Sequence, residues 1–368
     1  MIPVNEPHIP EHAKEYVVDC IRTGWISSAG QYIEKFESAY AVYFDVTHAI
    51  TVTNGTAALH VVLLALGIGA GDEVILPDLT IISCPLAVHY TGAKPVLCDV
   101  DPITGSIDPT KIERNITKKT KAIMVVHLYG HPADMDPILD IAKKHNLFVV
   151  EDAAEAHGAL YKGKKVGGLG DVGCFSFYGN KIVTTGEGGM VVTNSDAIAQ
   201  KVRLLKDLAH VPGKRFTHEI VGYNYRMTNM QAALGLSGLM EIEWAIEKKR
   251  HIAGIYNEGL KSLKSLVLPQ EKSYARSVFW MYALLMAKNA TMTRDEFCTR
   301  LKEEGVDTRD FFVPIHRQPV FTSMKLFAGE TYPITDDLSI RGLYIPSGLA
   351  MTDEQQKQVI QTIRGILR

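Results

Sequence analysis

The sequence predicts an α/β protein, with a large domain built on a mostly parallel sheet between helices (residues 1–250) and a smaller α+β domain (residues 251–368). Two observations lead there. Short apolar runs, Val74-Ile75-Leu76, Val96-Leu97-Cys98, Ile123-Met124-Val125-Val126 and Phe148-Val149-Val150, are separated in several places by helical segments at 85–90 and 136–146. That alternation describes strands covered on both faces. From about Gly259 the pattern changes to a strand candidate at 278–286, a helix at 294–304 and a closing helix at 353–367.

The composition narrows the function classes. Hydrophobic residues make up 46% of the 368, charged residues 22%, and the formal net charge is -2. Such a chain has no field to draw a nucleic acid or other polyanion. No apolar run reaches membrane-spanning length, and the opening Met-Ile-Pro-Val-Asn-Glu-Pro lacks the basic and apolar parts of a signal peptide. A cytoplasmic location without a membrane partner is the expectation. Cys20, Cys84, Cys98, Cys174 and Cys298 are scattered without metal-ligand spacing and read as reduced and mostly buried.

Taken in order, residues 11–23 carry Val17, Val18 and Ile21 at helical spacing, and Gly24 ends that helix. In the loop that follows, Trp25 and the serines, Ser27 among them, suit a ligand contact, an interface or packing. A second helix at 31–43 puts Ile33, Phe36 and Tyr40 on one face. Residues 49–52 read as a buried strand, then Thr53-Asn54-Gly55-Thr56 opens a helix at 57–66. Unpaired amides at Gly55, Thr56 and Ala57, with the helix dipole behind them, suit a phosphate dianion; N-capping by Thr53 or Asn54 is the plain alternative. Neither a Walker loop nor Gly-x-Gly-x-x-Gly is present here.

Ligands of such sheets gather at the carboxyl ends of the strands. Asp152 ends the buried run 148–150, where an acid is paired, capped or functional; His127 has the same placement but reads as a satisfied structural histidine. Lys181 lies on a tight connection between strand-like runs, after Phe175, Phe177 and Tyr178 and before Gly186, Gly188 and Gly189. Beyond a helix at 196–208, Asn224 and Arg226 sit between tyrosines and suit an interface or an anion contact. One long helix is expected from Met230 to about Asn257, with Glu247-Lys248-Lys249-Arg250 as a solvated face. His316 and Arg317 read as surface groups or as groups leaning into a cleft between domains.

A dianion cup, an acid on a strand end and a lysine on a later strand connection fit pyridoxal 5'-phosphate. Its phosphate takes amides and hydroxyls, its ring nitrogen a carboxylate, and its aldehyde a lysine.

The chain resembles the DegT/DnrJ/EryC1/StrS family of sugar aminotransferases over essentially its full length. The resemblance is carried by Thr-Asn-Gly-Thr-Ala-Ala-Leu-His (53–60), Glu-Asp-Ala-Ala-Glu-Ala-His-Gly (151–158), Phe-Ser-Phe-Tyr-Gly-Asn-Lys (175–181) and Asn-Tyr-Arg-Met-Thr-Asn (224–229). It implies the type I fold of pyridoxal-phosphate enzymes. Gly-Trp-Ile-Ser-Ser and Val-His-Leu-Tyr-Gly-His further resemble the members that aminate C4 of GDP-4-keto-6-deoxymannose with L-glutamate. The resemblance implies Lys181 as the aldehyde-binding lysine, Asp152 at the ring nitrogen, Glu155 by the phenolic oxygen, and Gly55, Thr56 and Ser176 at the phosphate. It implies that Asn224 reaches the phosphate of a partner subunit, making a homodimer with shared active sites. His316, with Trp25 and Ser27, is assigned to the nucleotide-linked sugar. Ile81 departs from the pattern, since the family commonly stacks an aromatic residue on the cofactor there. The rivals are a dTDP- or UDP-linked sugar, a dehydratase, which would carry histidine in place of Lys181, and a non-catalytic regulator, which would lack the lysine or the acid.

Overall fold

The computed structural model describes every residue except Pro212, Arg215 and Arg368. Its main feature is a 7-stranded sheet. The strands are β1 (His48–Val52), β2 (Glu73–Pro77), β3 (Lys94–Cys98), β4 (Thr120–Val126) and β5 (Phe148–Asp152). After a short hairpin, β6 (Leu160–Tyr161) and β7 (Lys164–Lys165), come β8 (Val172–Ser176) and β9 (Gly189–Thr193). The order is β1-β9-β8-β5-β4-β2-β3. β9 runs antiparallel to both neighbours and the remaining pairs are parallel, so every strand but β9 shares one direction.

That shared direction collects the carboxyl ends of the strands on one edge. Val126 pairs with Asp152, and Asp152 with Cys174, so β4, β5 and β8 end nearly level. The helices Gly55–Ala65, Ser83–Tyr90 and Met135–His145 lie between strands in sequence, and Ile75, Ile123 and Val150 are fully buried beneath them. The apolar runs are continuous because both faces are covered.

The C-terminal part holds a 4-stranded antiparallel sheet in the order β10-β12-β14-β13. Its strands are β10 (Leu266–Val267), β12 (Tyr282–Met286), β13 (Arg309–Asp310) and β14 (Gly342–Ile345), while β11 (Ala275–Arg276) pairs instead with β6. Tyr256, Phe297, Leu301 and Ile363 form a separate core beneath it, joined by Ile2 from the opposite end of the chain. Ile315, Phe321 and Leu338 belong to the core of the large sheet.

Several elements differ from expectation. The helix expected from 230 to 257 is two, Asn229–Met240 and Ile242–Leu260, with Glu241 leaving helical geometry at φ -108°, ψ 12°. The second helix passes unbroken through position 250. Within it Lys249 is buried rather than solvated, because its helix face packs against Trp280 and Ser347. The strand expected at 278–286 begins at Tyr282, since the amide of Val278 is taken by Gly130 O. The first helix, Glu11–Thr23, has the expected bounds, yet Val18 and Ile21 are 58% and 61% exposed while Ala13 and Cys20 are buried. All five cysteines are unpaired, and four are buried. Among the described residues no helix is long and apolar enough to cross a membrane.

Candidate active site

The strand ends surround a cavity of about 580 Å³, within the range of small-molecule sites. Gly55, Thr56, Ile81, Asp152, Glu155, Ser176 and Lys181 all line it.

Its floor begins at the N-terminus of the helix Gly55–Ala65. Asn54 caps that helix by accepting from the Ala57 amide at 2.8 Å. Ala57 is therefore withdrawn from the expected anion cup, and Gly55 and Thr56 remain as first-turn amides without an intrahelical acceptor. Glycine at 55 is a requirement of packing, since a Cβ there would lie 2.9 Å from Ser176 Cβ. Opposite, the end of β8 is fixed by the fully buried His157, whose Nε2–H donates to Ser176 O at 2.9 Å while Nδ1 accepts from the Tyr40 hydroxyl at 3.1 Å. Burial pushes the His157 imidazole down to about 3, so it is neutral and its tautomer follows from the carbonyl it serves.

Lys181 stands on a closed turn. Its amide donates to Tyr178 O, and the Thr185 amide and Thr184 hydroxyl both donate to Phe177 O. Gly186, at φ +78°, returns the chain to β9. The Lys181 amine is 3.8 Å from Glu155 Oε1, beyond hydrogen-bond distance, and 3.8 Å from the centre of the Trp280 ring. Burial lowers its affinity for a proton, opposed first by Glu155 and then by Asp152. Glu155, buried and accepting from the Tyr129 amide at 2.8 Å, is pushed up to about 7 by the same desolvation, with Lys181 pulling the other way. Burial thus disfavours the charged form of each group, and their mutual attraction opposes it.

Asp152 ends β5 with Oδ1 accepting from the Ala154 amide at 3.0 Å and Oδ2 from the Cys84 thiol at 3.1 Å. Thr80 in turn lies 3.2 Å from Cys84 Sγ, and burial pushes the Cys84 thiol well up, which keeps it a donor. Thr80 and Cys84 were not picked out from sequence, although the strand-end rule points to the segment after β2.

Four assigned residues stay outside the cavity wall. Asn224 is exposed and accepts from Arg226 Nε at 3.0 Å. The carbonyls of Trp25 and Ser27 are taken by Asn229, through its side chain and its amide, which ties the 24–30 loop to the helix Asn229–Met240. His316 is drawn to the buried Asp78, donating from its amide at 2.9 Å, with Nδ1 2.6 Å from the other carboxylate oxygen. His127 is structural as expected, held between the Ala133 amide and Glu151. His60 also lines the cavity; its Nδ1 is 3.0 Å from the Tyr225 hydroxyl, and its buried Nε2 has no partner among the described residues.

A lysine amine 3.8 Å from its nearest carboxylate, a carboxylate with thiol and amide support, and a helix N-terminus that glycine opens onto Ser176 fit pyridoxal phosphate. Fold and cavity define a pyridoxal-phosphate-dependent aminotransferase. The chain belongs to the DegT/DnrJ/EryC1/StrS aminotransferase family, whose profile matches residues 7–364. It is 45% identical to GDP-perosamine synthase of Caulobacter vibrioides, over 100% of this chain and 98% of that one. It is 44% identical to GDP-perosamine synthase of Escherichia coli O157:H7, over 98% and 97%. The crystal structure of an aminotransferase from Psychrobacter cryohalolentis superposes with a TM-score of 0.92 at 34% identity, covering 99% of this chain and 98% of the other.

Proposed function

We propose that this protein transfers the amino group of L-glutamate to the C4 keto group of GDP-4-keto-6-deoxymannose, as in GDP-perosamine synthesis, in the cytoplasm and for O-antigen or other surface polysaccharide. The observation that carries the aminotransferase reading is the meeting of Lys181, Asp152 and the Gly55 cup in one cavity. The choice of GDP rests on the two relatives that share nearly their whole length with this chain.

When bound, pyridoxal phosphate supplies a carbonyl that takes up the amino group and a ring that accepts electrons. Lys181 would provide the amine that meets the carbonyl and moves protons, with the Glu155 carboxyl 3.8 Å away acting on its charge. Asp152 holds positive charge at the ring nitrogen, kept in place by Cys84 and the Ala154 amide. The amides of Gly55 and Thr56, with the Ser176 hydroxyl, would hold the phosphate. Ile81, which lines the cavity, would cover the ring by apolar contact. We assign Trp25, Ser27 and His316 to the nucleotide sugar, and residues 251–368 to a smaller domain on the strength of their own sheet and core.

Asn224 is assigned to the phosphate of a partner subunit, in a homodimer with shared sites. Mixing Lys181→Ala and Asn224→Ala chains under subunit exchange then puts both defects in one site and leaves the other intact. About a quarter of wild-type activity should return, by two-fold symmetry; no recovery despite demonstrated exchange places Asn224 in its own chain's site.

A glutamate-dependent assay on GDP-, dTDP- and UDP-linked 4-keto-6-deoxy sugars tests the substrate. The GDP sugar should lead by about tenfold or more in kcat/KM. Preference for dTDP or UDP overturns the nucleotide, and turnover of none overturns the activity.

A further inference from the structure

Trp280 lies outside every sequence motif, yet it touches the reacting lysine. Its residue is only 2% exposed, and its orientation is imposed from three sides. The ring Nε1–H donates to Asn180 O at 2.8 Å. The backbone carbonyl accepts from the amine of Lys249 at 2.8 Å. The indole also runs nearly parallel to Tyr129, at an interplanar angle of 12° and a centroid separation of 6.4 Å. Lys249 itself is anchored by donating to Ser347 O at 2.6 Å, and the Tyr282 amide donates to Ser347 Oγ at 3.1 Å. Residue 280 is thereby clamped just ahead of β12.

Asn180 immediately precedes Lys181, so one indole grips the lysine turn through its N–H and meets the lysine amine with its face. An ammonium over an indole face is attracted by the ring quadrupole, more strongly where water is excluded. The other groups acting on the amine are Glu155, Asp152, Cys84 and His157. Glu155 stands at 3.8 Å without a hydrogen bond, which leaves the ring as a close partner of the charge.

We propose that Trp280 is a positioning residue for the Lys181 amine: its indole face docks the protonated amine whenever that amine is not engaged with the carbonyl it serves, fixing where it waits and how readily it releases its proton. This rests on the reading of Lys181 as the reacting lysine. Transfer requires the amine to leave the carbonyl and return to it, and a long lysine side chain loses its place cheaply unless something holds it.

Replacing tryptophan biosynthetically with mono-, di- and trifluorinated analogues weakens the ring quadrupole with little change of shape. Trp25 and Trp244 take up the analogue too, but both are exposed and outside the cavity wall. In the full-length protein freed of cofactor, trace acetylation of Lys181 is followed against pH by mass spectrometry, giving its titration midpoint. The midpoint should fall stepwise with fluorination, by about one pH unit in all, and Trp280→Phe, which keeps a weaker ring face, should fall between the extremes. A midpoint indifferent to fluorination means that Trp280 only packs, and overturns the proposal. Borohydride trapping of the cofactor-loaded protein tests the underlying reading separately: an adduct on another lysine removes Lys181 from the chemistry whatever the fluorine series shows.

Discussion

Two pairs of like residues divide between the cavity and the sealed interior of this protein. At the end of β5, Asp152 faces the cavity with a thiol and one amide for partners. Its neighbour Glu151 is fully buried among the amides of Gly167, Leu169 and Gly170 and the imidazole of His127. Successive residues of a strand point to opposite faces, so parity alone separates them. The lysines divide in the same way. Among the described residues Lys181 has no acceptor within hydrogen-bond distance, its nearest carboxylate being Glu155 at 3.8 Å, whereas Lys249 is spent on two carbonyls. Groups that retain capacity are the ones able to act on a ligand; groups whose capacity is consumed hold the fold.

The comparison breaks most visibly if the carboxylates are exchanged in role. Asp152→Asn should lower kcat/KM by up to about a thousandfold with little change in the denaturation midpoint. Glu151→Gln should do the reverse, costing about 3 kcal/mol of stability while activity per folded molecule is retained, because an amide nitrogen would face backbone donors. Equal loss of stability in both variants, measured by urea unfolding, would show that the two faces are not distinct.

A smaller effect sharpens the cavity side. Gly55→Ala brings a methyl to 2.9 Å from Ser176 Cβ, and relief of that overlap must shift the helix N-terminus proposed to hold the phosphate. Affinity for pyridoxal phosphate should fall about tenfold, measured by fluorescence titration; unchanged affinity would mean that the helix N-terminus does not hold the phosphate.

The effect that is smallest per unit step concerns the sealed side and accumulates with pH. Burial lowers Lys249 to about 7 from the ordinary 10.5. Between those values the unfolded chain binds more protons than the folded one, so stability rises with pH; below about pH 7 the amine is charged in both states and its burial penalty is complete. Lys249→Met removes this dependence along with the two hydrogen bonds. The stability of wild type relative to the variant should therefore grow by about 1 kcal/mol per pH unit within that window. A difference that stays flat with pH would show that Lys249 keeps its proton.

The sequence by itself determined the strands, their carboxyl ends and the residues those ends present. Continuous apolar runs impose strands buried on both faces, and each polar residue or glycine at the end of a run is where the backbone must turn. Asp152, the Gly55 turn and the lysine connection at 181 were legible for that reason, because their signals are local. Only the tertiary structure decided the partners. That Lys249 is buried turned on which helix face meets Trp280 and Ser347. The contact of Trp280 with Lys181 joins residues 99 apart in number. Nothing in the residues around either one encodes it, since it arises where the entry to β12 is pinned against the turn between β8 and β9, and packing between distant segments leaves no periodicity in a sequence.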